Sequence, residues 1–140
     1  LSSHLFHKTT DLYANGIKVI EQVGEGIVPL IESGKLNSTE MKLLLDTYIK
    51  PMLEQNIDYL VLGCTHYPYL IPILAEMLPN DVKIIDSGLA VAKQTQLILS
   101  NLNLLEDATL EPTTQLFSNG DVSVLKSIIE DKFEVSYLDF

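Results

Sequence analysis

The residues with the clearest capacity for chemistry lie between Gly63 and Pro68, where the chain reads Gly-Cys-Thr-His-Tyr-Pro. Cys64 is the only cysteine of the 140 residues, and His66 follows two positions later. A cysteine thiolate acts as a base or a nucleophile, and an imidazole exchanges protons near neutral pH. Thr65 offers a hydroxyl and a backbone N–H that suit a carboxylate. These residue types in this order indicate a proton-transfer or nucleophilic site.

Each of these residues also has a structural interpretation. A single cysteine at the end of a strand is usually a small buried apolar residue, and a single histidine is more often structural. Burial is the better interpretation of Cys64 alone, and its pairing with His66 makes function and structure equally good interpretations. The residues 86–88, Asp-Ser-Gly, are better explained as a helix N-cap, and Glu32 as a solvated loop carboxylate.

Two short apolar runs must position this stretch. Ile57–Gly63 is almost continuously apolar, which is typical of a central parallel strand buried on both faces. Val82–Ile85 is a second buried strand, and it leads directly into the turn at 86–88. In an open α/β sheet, ligands bind where loops leave the carboxyl ends of the strands. We therefore expect 63–68 and 86–88 to be neighbouring loops at one edge of a sheet.

Helix and turn signals dominate the part of the chain before these strands. Lys8–Gln22 carries a helical pattern of apolar residues. Gly26–Glu32 is predicted to be a short strand or an extended loop, because a proline biases the residue before it to extended angles. The next helix has Asn37 as its N-cap and Glu40 at its third position. Pro51 lies late in that helix and should kink it or end it.

Strands and helices alternate in the rest of the chain, which predicts an α/β fold with a doubly wound, mostly parallel sheet. Cys64 would lie near the start of the next helix, where the helix dipole and free N–H groups favour the thiolate. The remaining predicted elements are helices at 69–78 and 89–99, an acidic connector at 103–112, a strand at 114–118, a helix at 121–131 capped by Asp121, and a strand at 133–138.

Composition narrows the class of partner. The net charge is −10 and all nine basic residues are lysines, so we expect no nucleic-acid partner. An anionic small molecule would have to bind backbone N–H groups, hydroxyls and helix N-termini, because no arginine fork is present. One cysteine and three scattered histidines do not supply a standard zinc site.

Compartment is predicted from what the sequence does not contain. A single cysteine makes no internal disulfide, which suits a reducing cytoplasm. No secretory leader opens the sequence, and no apolar run reaches the length of about 18 to 20 residues that a membrane span needs. We therefore expect a cytoplasmic protein with no membrane partner.

The stretch Tyr59–Leu70 resembles the second cysteine motif of the glutamate racemases, a family of bacterial cell-wall enzymes. Three further segments agree in order and spacing. Val28–Gly34 is similar to the family's Pro-Leu-Val-Glu segment, Lys83–Gly88 to the strand and turn that follow the motif, and Phe117–Asp121 to the Thr-Gly-Asp segment near the C-terminus. The resemblance covers essentially the whole chain, but only the second half of the family's length.

The resemblance implies cofactor-independent, two-base interconversion of L- and D-glutamate, which supplies D-glutamate for peptidoglycan. By that resemblance, Cys64 is one of two catalytic cysteines, typically the one that deprotonates L-glutamate. His66 assists Cys64, Thr65 helps to bind the substrate carboxylate or amine, and Glu32 matches the active-site glutamate of the family. No cofactor and no metal are implied.

The family fold has two lobes, and its first-half motifs, including the other cysteine, are not in this chain. The resemblance assigns residues 1–90 to the second lobe and residues 91–140 to a segment that packs with the absent first lobe. We therefore expect this chain to be inactive alone, and to have the missing N-terminal lobe and glutamate as partners. Apolar surface left uncovered by that lobe predicts a homo-oligomer.

Three other interpretations of the chain stay open. A phosphate- or nucleotide-binding domain could use the residues 86–88 at a helix N-terminus, although neither a Walker-type lysine nor a Gly-x-Gly-x-x-Gly pattern is present. A redox protein could use Cys64, although the chain offers no second thiol. A purely structural or interaction α/β domain is the third interpretation.

Overall fold

The computed structural model describes residues 4–106 and 111–140. Helices and strands alternate through most of these two ranges, and Tyr67–Leu70 forms a 3-10 turn ahead of α4. The helices are α1 (His4–Tyr13), α2 (Ile27–Glu32), α3 (Thr39–Leu53), α4 (Ile71–Met77), α5 (Gly88–Asn101) and α6 (Val122–Ile128). The strands are β1 (Tyr59–Leu62), β2 (Lys83–Asp86), β3 (Gln115–Ser118) and β4 (Glu134–Tyr137).

The described strands form two parallel pairs. β1 pairs with β2, with Leu62 opposite Asp86, and β3 pairs with β4, with Ser118 opposite Tyr137. Helix α4 lies between the strands of the first pair in the chain, and α6 lies between those of the second, as parallel crossovers require. The predicted α/β class with parallel strands is confirmed. The described residues divide it into two two-stranded sheets rather than one continuous sheet.

The elements from β2 onward lie within three residues of their predicted bounds. Asp121 caps α6 as predicted, because its side chain accepts a hydrogen bond from the backbone N–H of Ser123. Of the acidic connector predicted at 103–112, the four residues 107–110 lie outside the described ranges. None of the helices in those ranges combines the length and the apolar character needed to cross a membrane.

One apolar core joins α2, α3, β1 and α4. Ile31, Met41 and Leu70 are its most completely buried large side chains, and they come from three different elements. This packing fixes α2 and the segment after β1 relative to each other. The buried members of the core are Ile27, Ile31, Met41, Leu45, Ile49, Met52, Leu62, Leu70, Ile73, Leu74 and Leu78.

The segment that contains Glu32 is a helix, so the prediction of a strand or extended loop at Gly26–Glu32 is wrong. Pro29 is the third residue of α2, where a backbone N–H has no partner inside the helix, so the proline costs no hydrogen bond. Gly26 has a φ of 79°, a left-handed conformation that favours glycine, and it turns the chain into α2. Ile27 and Ile31, four residues apart, bury one face of the helix.

Helices α1 and α3 also differ from their predicted bounds. α1 spans His4–Tyr13 and does not reach the predicted end at 22. The N-cap of α3 is Ser38 and not Asn37, because Ser38 Oγ accepts from the N–H of Met41 at 3.1 Å. The helix runs two residues beyond Pro51, since a proline in the last turn removes only one hydrogen bond of the helix.

β1 and β2 are not buried on both faces, which corrects another prediction. Alternate side chains of a strand face opposite sides, and Leu62 of β1 faces the core. Val61 and Ile85 lie on the outer face of the sheet and are 66% and 43% exposed. Apolar periodicity predicts which side chains need to be buried, but it does not show whether other residues of this chain bury them.

Candidate active site

Cys64 lies at the edge of the first sheet, two residues after β1 ends. An open groove of about 430 Å³ runs along this edge, and the half-buried Cys64 is part of its wall. The loops after β1 and β2 both border the groove, as expected for neighbouring parallel strands. The lining residues are Val61, Leu62, Gly63, Cys64, Thr65, Ile85, Asp86, Ser87 and Ala90.

His66 directs one ring nitrogen at Cys64. The distance from Cys64 Sγ to His66 Nδ1 is 4.0 Å, and Thr65 Oγ1 lies 3.5 Å from the same nitrogen. The thiol and the imidazole are therefore at the outer limit of direct hydrogen bonding, with a hydroxyl beside them. This geometry permits a proton to pass between sulfur and nitrogen, as a thiol–imidazole pair requires.

Glu32 contacts the other ring nitrogen. Its Oε1 lies 3.1 Å from His66 Nε2, although the two residues are 34 positions apart in the chain. A carboxylate accepts a hydrogen bond, so in the tautomer with its proton on Nε2 the ring donates to Glu32 and presents the lone pair of Nδ1 to Cys64. The last residue of α2 thus adds a carboxylate to the imidazole and the thiol of the loop after β1, and the three groups lie in a row. In such a row the carboxylate orients the proton acceptor and stabilises its charged form.

Local structure explains how the loop after β1 presents these groups. The N–H of Tyr67 donates to the carbonyl of Cys64 at 3.1 Å, which closes a turn around Thr65 and His66. The 3-10 turn that follows has four residues before α4 begins. A turn of that length adds little dipole at Cys64, so the predicted helix-dipole effect is minor beside the nearby imidazole.

Tyr67 is a residue that the sequence analysis did not single out. Burial raises the pKa of its phenol, and repulsion from the ionised forms of Cys64 and Tyr48 raises that pKa further. Tyr67 Oη donates to the carbonyl of Gly24 at 3.3 Å. Its place directly after His66 was the available signal, but nothing in the sequence pointed to Gly24 as its partner.

The turn at 86–88 begins α5, but its N-cap residue, Ser87, makes no side-chain cap hydrogen bond. Asp86 Oδ1 accepts from the N–H of Gly88 at 2.7 Å, at the start of α5. A carboxylate therefore already occupies an N–H group that a phosphate would need. Ser87 and Asp86 still border the groove beside Cys64.

Groove volume alone would favour a different location for the site. A groove of about 750 Å³ lies between α2 and α3, and its walls include Pro29, Leu30, Leu43 and Leu44. It contains neither Cys64 nor a polar cluster of the kind that chemistry needs. In the described ranges, no group of three or more potential ligands is arranged to hold a metal ion.

Known proteins match the chain over nearly its full length. A glutamate racemase of Pseudomonas entomophila (strain L48) is 43% identical over 129 residues, which cover 92% of this chain and 48% of that protein. A glutamate racemase of Pseudomonas putida (strain W619) is 42% identical over the same shares of the two chains. The chain is a homologue of the glutamate racemases. The resemblance to the C-terminal half of that family is therefore confirmed.

Solved structures agree with this relationship. The crystal structure of the glutamate racemase isoform RacE1 from Bacillus anthracis matches with a TM-score of 0.76 and 26% identity, over 97% of this chain and 52% of that chain. The glutamate racemase from Thermus thermophilus, in complex with β-chloro-D-alanine, shares the fold with a TM-score of 0.64 at 23% identity. No protein-family profile matches the chain. The chain spans about half the length of the curated racemases it matches.

Proposed function

We propose that this chain forms one wall of the active site of a cofactor-independent glutamate racemase. The observation that carries the proposal is the row of Cys64, His66 and Glu32 beside an open groove. Homology to glutamate racemases supports glutamate as the substrate and racemisation as the reaction. Cys64 is part of the wall of the groove, so we propose that a substrate bound there brings its α-carbon to the sulfur.

Cys64 acts as the acid or base on one face of the α-carbon. The Cys64 proton passes to His66 Nδ1, and Glu32 stabilises the resulting imidazolium through Nε2. The thiolate then removes the α-proton of L-glutamate and leaves a carbanion. A second acid on the opposite face donates a proton to the α-carbon and completes D-glutamate. One proton leaves the substrate and one returns, so no redox partner is needed.

Neutral groups hold the substrate on this wall. The chain contains no arginine and none of its lysines lines the groove in the described ranges, so hydroxyls and backbone N–H groups would bind the substrate carboxylates on this wall. Thr65 borders the groove next to Cys64 and is our candidate for binding the α-carboxylate or the amine. Ser87 lies across the groove on the loop after β2 and offers a second hydroxyl.

The opposite acid comes from outside this chain. Cys64 is the only cysteine present, whereas a two-thiol cycle needs two. We propose that a first lobe provides the other cysteine and covers the exposed Val61 and Ile85 of the sheet. Residues 1–90 then belong to the second lobe, and 91–140 pack with the first. The D-glutamate formed serves peptidoglycan synthesis.

The test measures α-hydrogen exchange in D₂O, in the full-length protein that contains this chain. We expect Cys64→Ser to lower exchange from L-glutamate by at least about 100-fold, because a general base contributes roughly 10²- to 10⁴-fold. We expect Glu32→Gln to lower it by about tenfold, while Glu40→Gln, an exposed carboxylate on α3, leaves it unchanged. Exchange and racemisation that persist unchanged in Cys64→Ser would remove Cys64 from the mechanism.

A second measurement tests whether this chain racemises glutamate without the first lobe. We expect the 140-residue chain alone to form no D-glutamate from L-glutamate. Turnover by the isolated chain would contradict the requirement for a second thiol.

A phosphate-binding domain receives less support, because Asp86 already accepts a hydrogen bond from the N–H of Gly88 at the start of α5. Phosphate that raises the melting temperature of the chain would favour that alternative instead.

A further inference from the structure

The segment before α2 is attached to the loop after Cys64 by a tyrosine. Tyr67 Oη donates to the carbonyl of Gly24 at 3.3 Å, and Tyr48 Oη donates from α3 to the next carbonyl, that of Glu25, at 2.8 Å. Two phenols from different elements thus hold consecutive carbonyls. The backbone at 24–25 is therefore fixed at the point where it enters the helix that carries Glu32.

The contact at Gly24 is close enough to exclude a side chain. A Cβ at this position would lie 2.5 Å from Tyr67 Oη and 2.6 Å from Ile27 Cδ1, well inside van der Waals contact. Only glycine allows the backbone to approach the phenol in this way. The tight approach and the hydrogen bond therefore depend on the same pair of residues.

This contact and the contact between Glu32 and His66 lie at the two ends of one short segment, residues 24–32. Glu32 is the last residue of α2, and Gly24 lies three residues before the helix begins. At the other side, Tyr67 directly follows His66 in the chain. A shift of the 24–32 segment against Tyr67 is therefore also a shift of Glu32 against His66. The Glu32 side chain is 62% exposed, so burial does little to hold its carboxylate in place.

The phenol is a suitable permanent donor. Burial raises the pKa of Tyr67, and a thiolate at Cys64 raises it further, so the phenol keeps its proton when the thiol loses its own. The hydrogen bond to Gly24 then persists through the cycle in which Cys64 gains and loses a proton. A group that ionised together with the thiol could not hold the backbone in this way.

We infer that Tyr67 is a positioning residue, which acts through the Gly24 carbonyl and α2 to keep Glu32 on His66 and so to support the thiolate of Cys64. The inference rests on the proposed function, since it assumes that the row of Glu32, His66 and Cys64 activates the thiol. It concerns a contact that lies behind the row and not in the groove.

The test measures alkylation of the 140-residue chain by iodoacetamide as a function of pH. Cys64 is the only thiol, so the rate reports its thiolate directly. We expect Tyr67→Phe to lower the rate at pH 7 by about three- to tenfold, the factor expected for the loss of one hydrogen bond. The pH–rate profile should also move to higher pH, by the amount that corresponds to this loss of rate at pH 7.

Matched variants separate positioning from general loosening. Tyr69→Phe removes the same atom two residues later, from a hydroxyl for which the described ranges show no hydrogen bond, and it should leave the profile unchanged. Gly24→Ala should reproduce the Tyr67→Phe effect by pushing the hydroxyl away. Gly120→Ala, where a Cβ meets its nearest neighbour at 3.6 Å, should not. The melting temperature of each variant records whether it folds.

Glu32→Gln decides which idea fails. If Glu32→Gln moves the profile and Tyr67→Phe adds nothing to it in the double variant, Tyr67 acts through Glu32 as inferred. If Glu32→Gln moves the profile and both Tyr67→Phe and Gly24→Ala leave it in place, the positioning role is wrong while the proposed function stands. If Glu32→Gln has no effect, Glu32 does not activate the thiol, so the positioning role falls together with the part of the proposed function that uses Glu32, while the role of Cys64 is decided by the exchange experiment.

Discussion

The chain divides into a region that packs its own core and a region that does not. We call residues 20–86 the core region, and it contains eleven of the twelve buried apolar residues found in the described ranges. We call residues 88–140 the open region, and Val135 is the only buried apolar residue of its described part. Helices α5 and α6 bury none of their side chains fully.

The open region is not short of apolar residues. Large exposed apolar side chains occur on α5, on β3 and along β4, and all of these elements form as predicted. Local patterns therefore specify the secondary structure of the open region, although apolar side chains become fully buried mainly in the core region. This difference is what we expect if α5, β3 and β4 pack against chain that lies outside these residues, as the domain division proposed above assumes. The large exposed apolar side chains of these three elements include Leu89, Val91, Leu97, Ile98, Phe117 and Tyr137.

The same truncation in each region gives the largest contrast. Ile31 is fully buried and Ile98 is 46% exposed. We expect Ile31→Ala to lower the free energy of unfolding by about 2 to 5 kcal/mol, because it removes buried methyl groups and leaves a cavity. Ile98→Ala should cost less than about 1 kcal/mol. Urea unfolding of the isolated chain measures both, and equal losses would show that the open region has a core of its own.

Self-association tests what the open region does with its uncovered surface. We expect the chain to self-associate, and Leu89→Ser on α5 to weaken that association by about tenfold or more, since burying a leucine contributes about 1.5 to 3 kcal/mol. Leu43→Ser on α3 is the matched control, because Leu43 and Leu89 are 64% and 67% exposed. Sedimentation velocity over a concentration series gives the constants. A chain that stays monomeric, or a Leu43→Ser effect as large, would contradict a specific role for the open region.

The sequence was most informative about the site where neighbours in the chain are also neighbours in space. Cys64, Thr65 and His66 follow one strand, and the rule that loops meet at the carboxyl edge of parallel strands correctly brought 86–88 beside them. Glu32 is different. Its contact with His66 spans 34 positions, and no periodicity reports such a distance. Only the resemblance to a family placed Glu32 in the site.

Proline was the source of the main error in the fold. Pro29 biases the residue before it to extended angles, and that bias predicted a short strand or an extended loop at 26–32. In the first turn of a helix, however, the missing N–H costs nothing, and burial of Ile27 and Ile31 against α3 favours the helix. Packing with a distant element outweighed a local preference. The prediction that β1 and β2 are buried on both faces failed for a similar reason, because burial of a sheet face depends on tertiary packing and not on the local sequence.

The cap of α3 offers a smaller test inside the core region. We expect Ser38→Ala to lower the free energy of unfolding by about 1 kcal/mol, because Met41 N–H loses its acceptor. Asn37→Ala, at the neighbouring residue that the sequence favoured as the cap, should cost only a few tenths of a kcal/mol. Thermal unfolding of the two variants distinguishes them. If Asn37→Ala lowered the stability more than Ser38→Ala, Asn37 would be the N-cap of α3.

The cap of α6 gives the smallest expected effect, and it depends on pH. The Ser123 hydroxyl, and then its backbone N–H, donate to Asp121 and lower the pKa of that carboxyl. A lowered folded pKa means that the contribution is present above the pKa of unfolded aspartate, about 3.9, and is lost as the pH falls through the lower folded value. We therefore expect the difference in melting temperature between wild type and Asp121→Ala to be constant near neutral pH and to shrink in acid. Ser38→Ala is the control, because its uncharged cap gives a difference with no such dependence. A difference at Asp121 that grows in acid would show that the carboxyl is not stabilised in its charged form, and that the open region lacks even this local anchor.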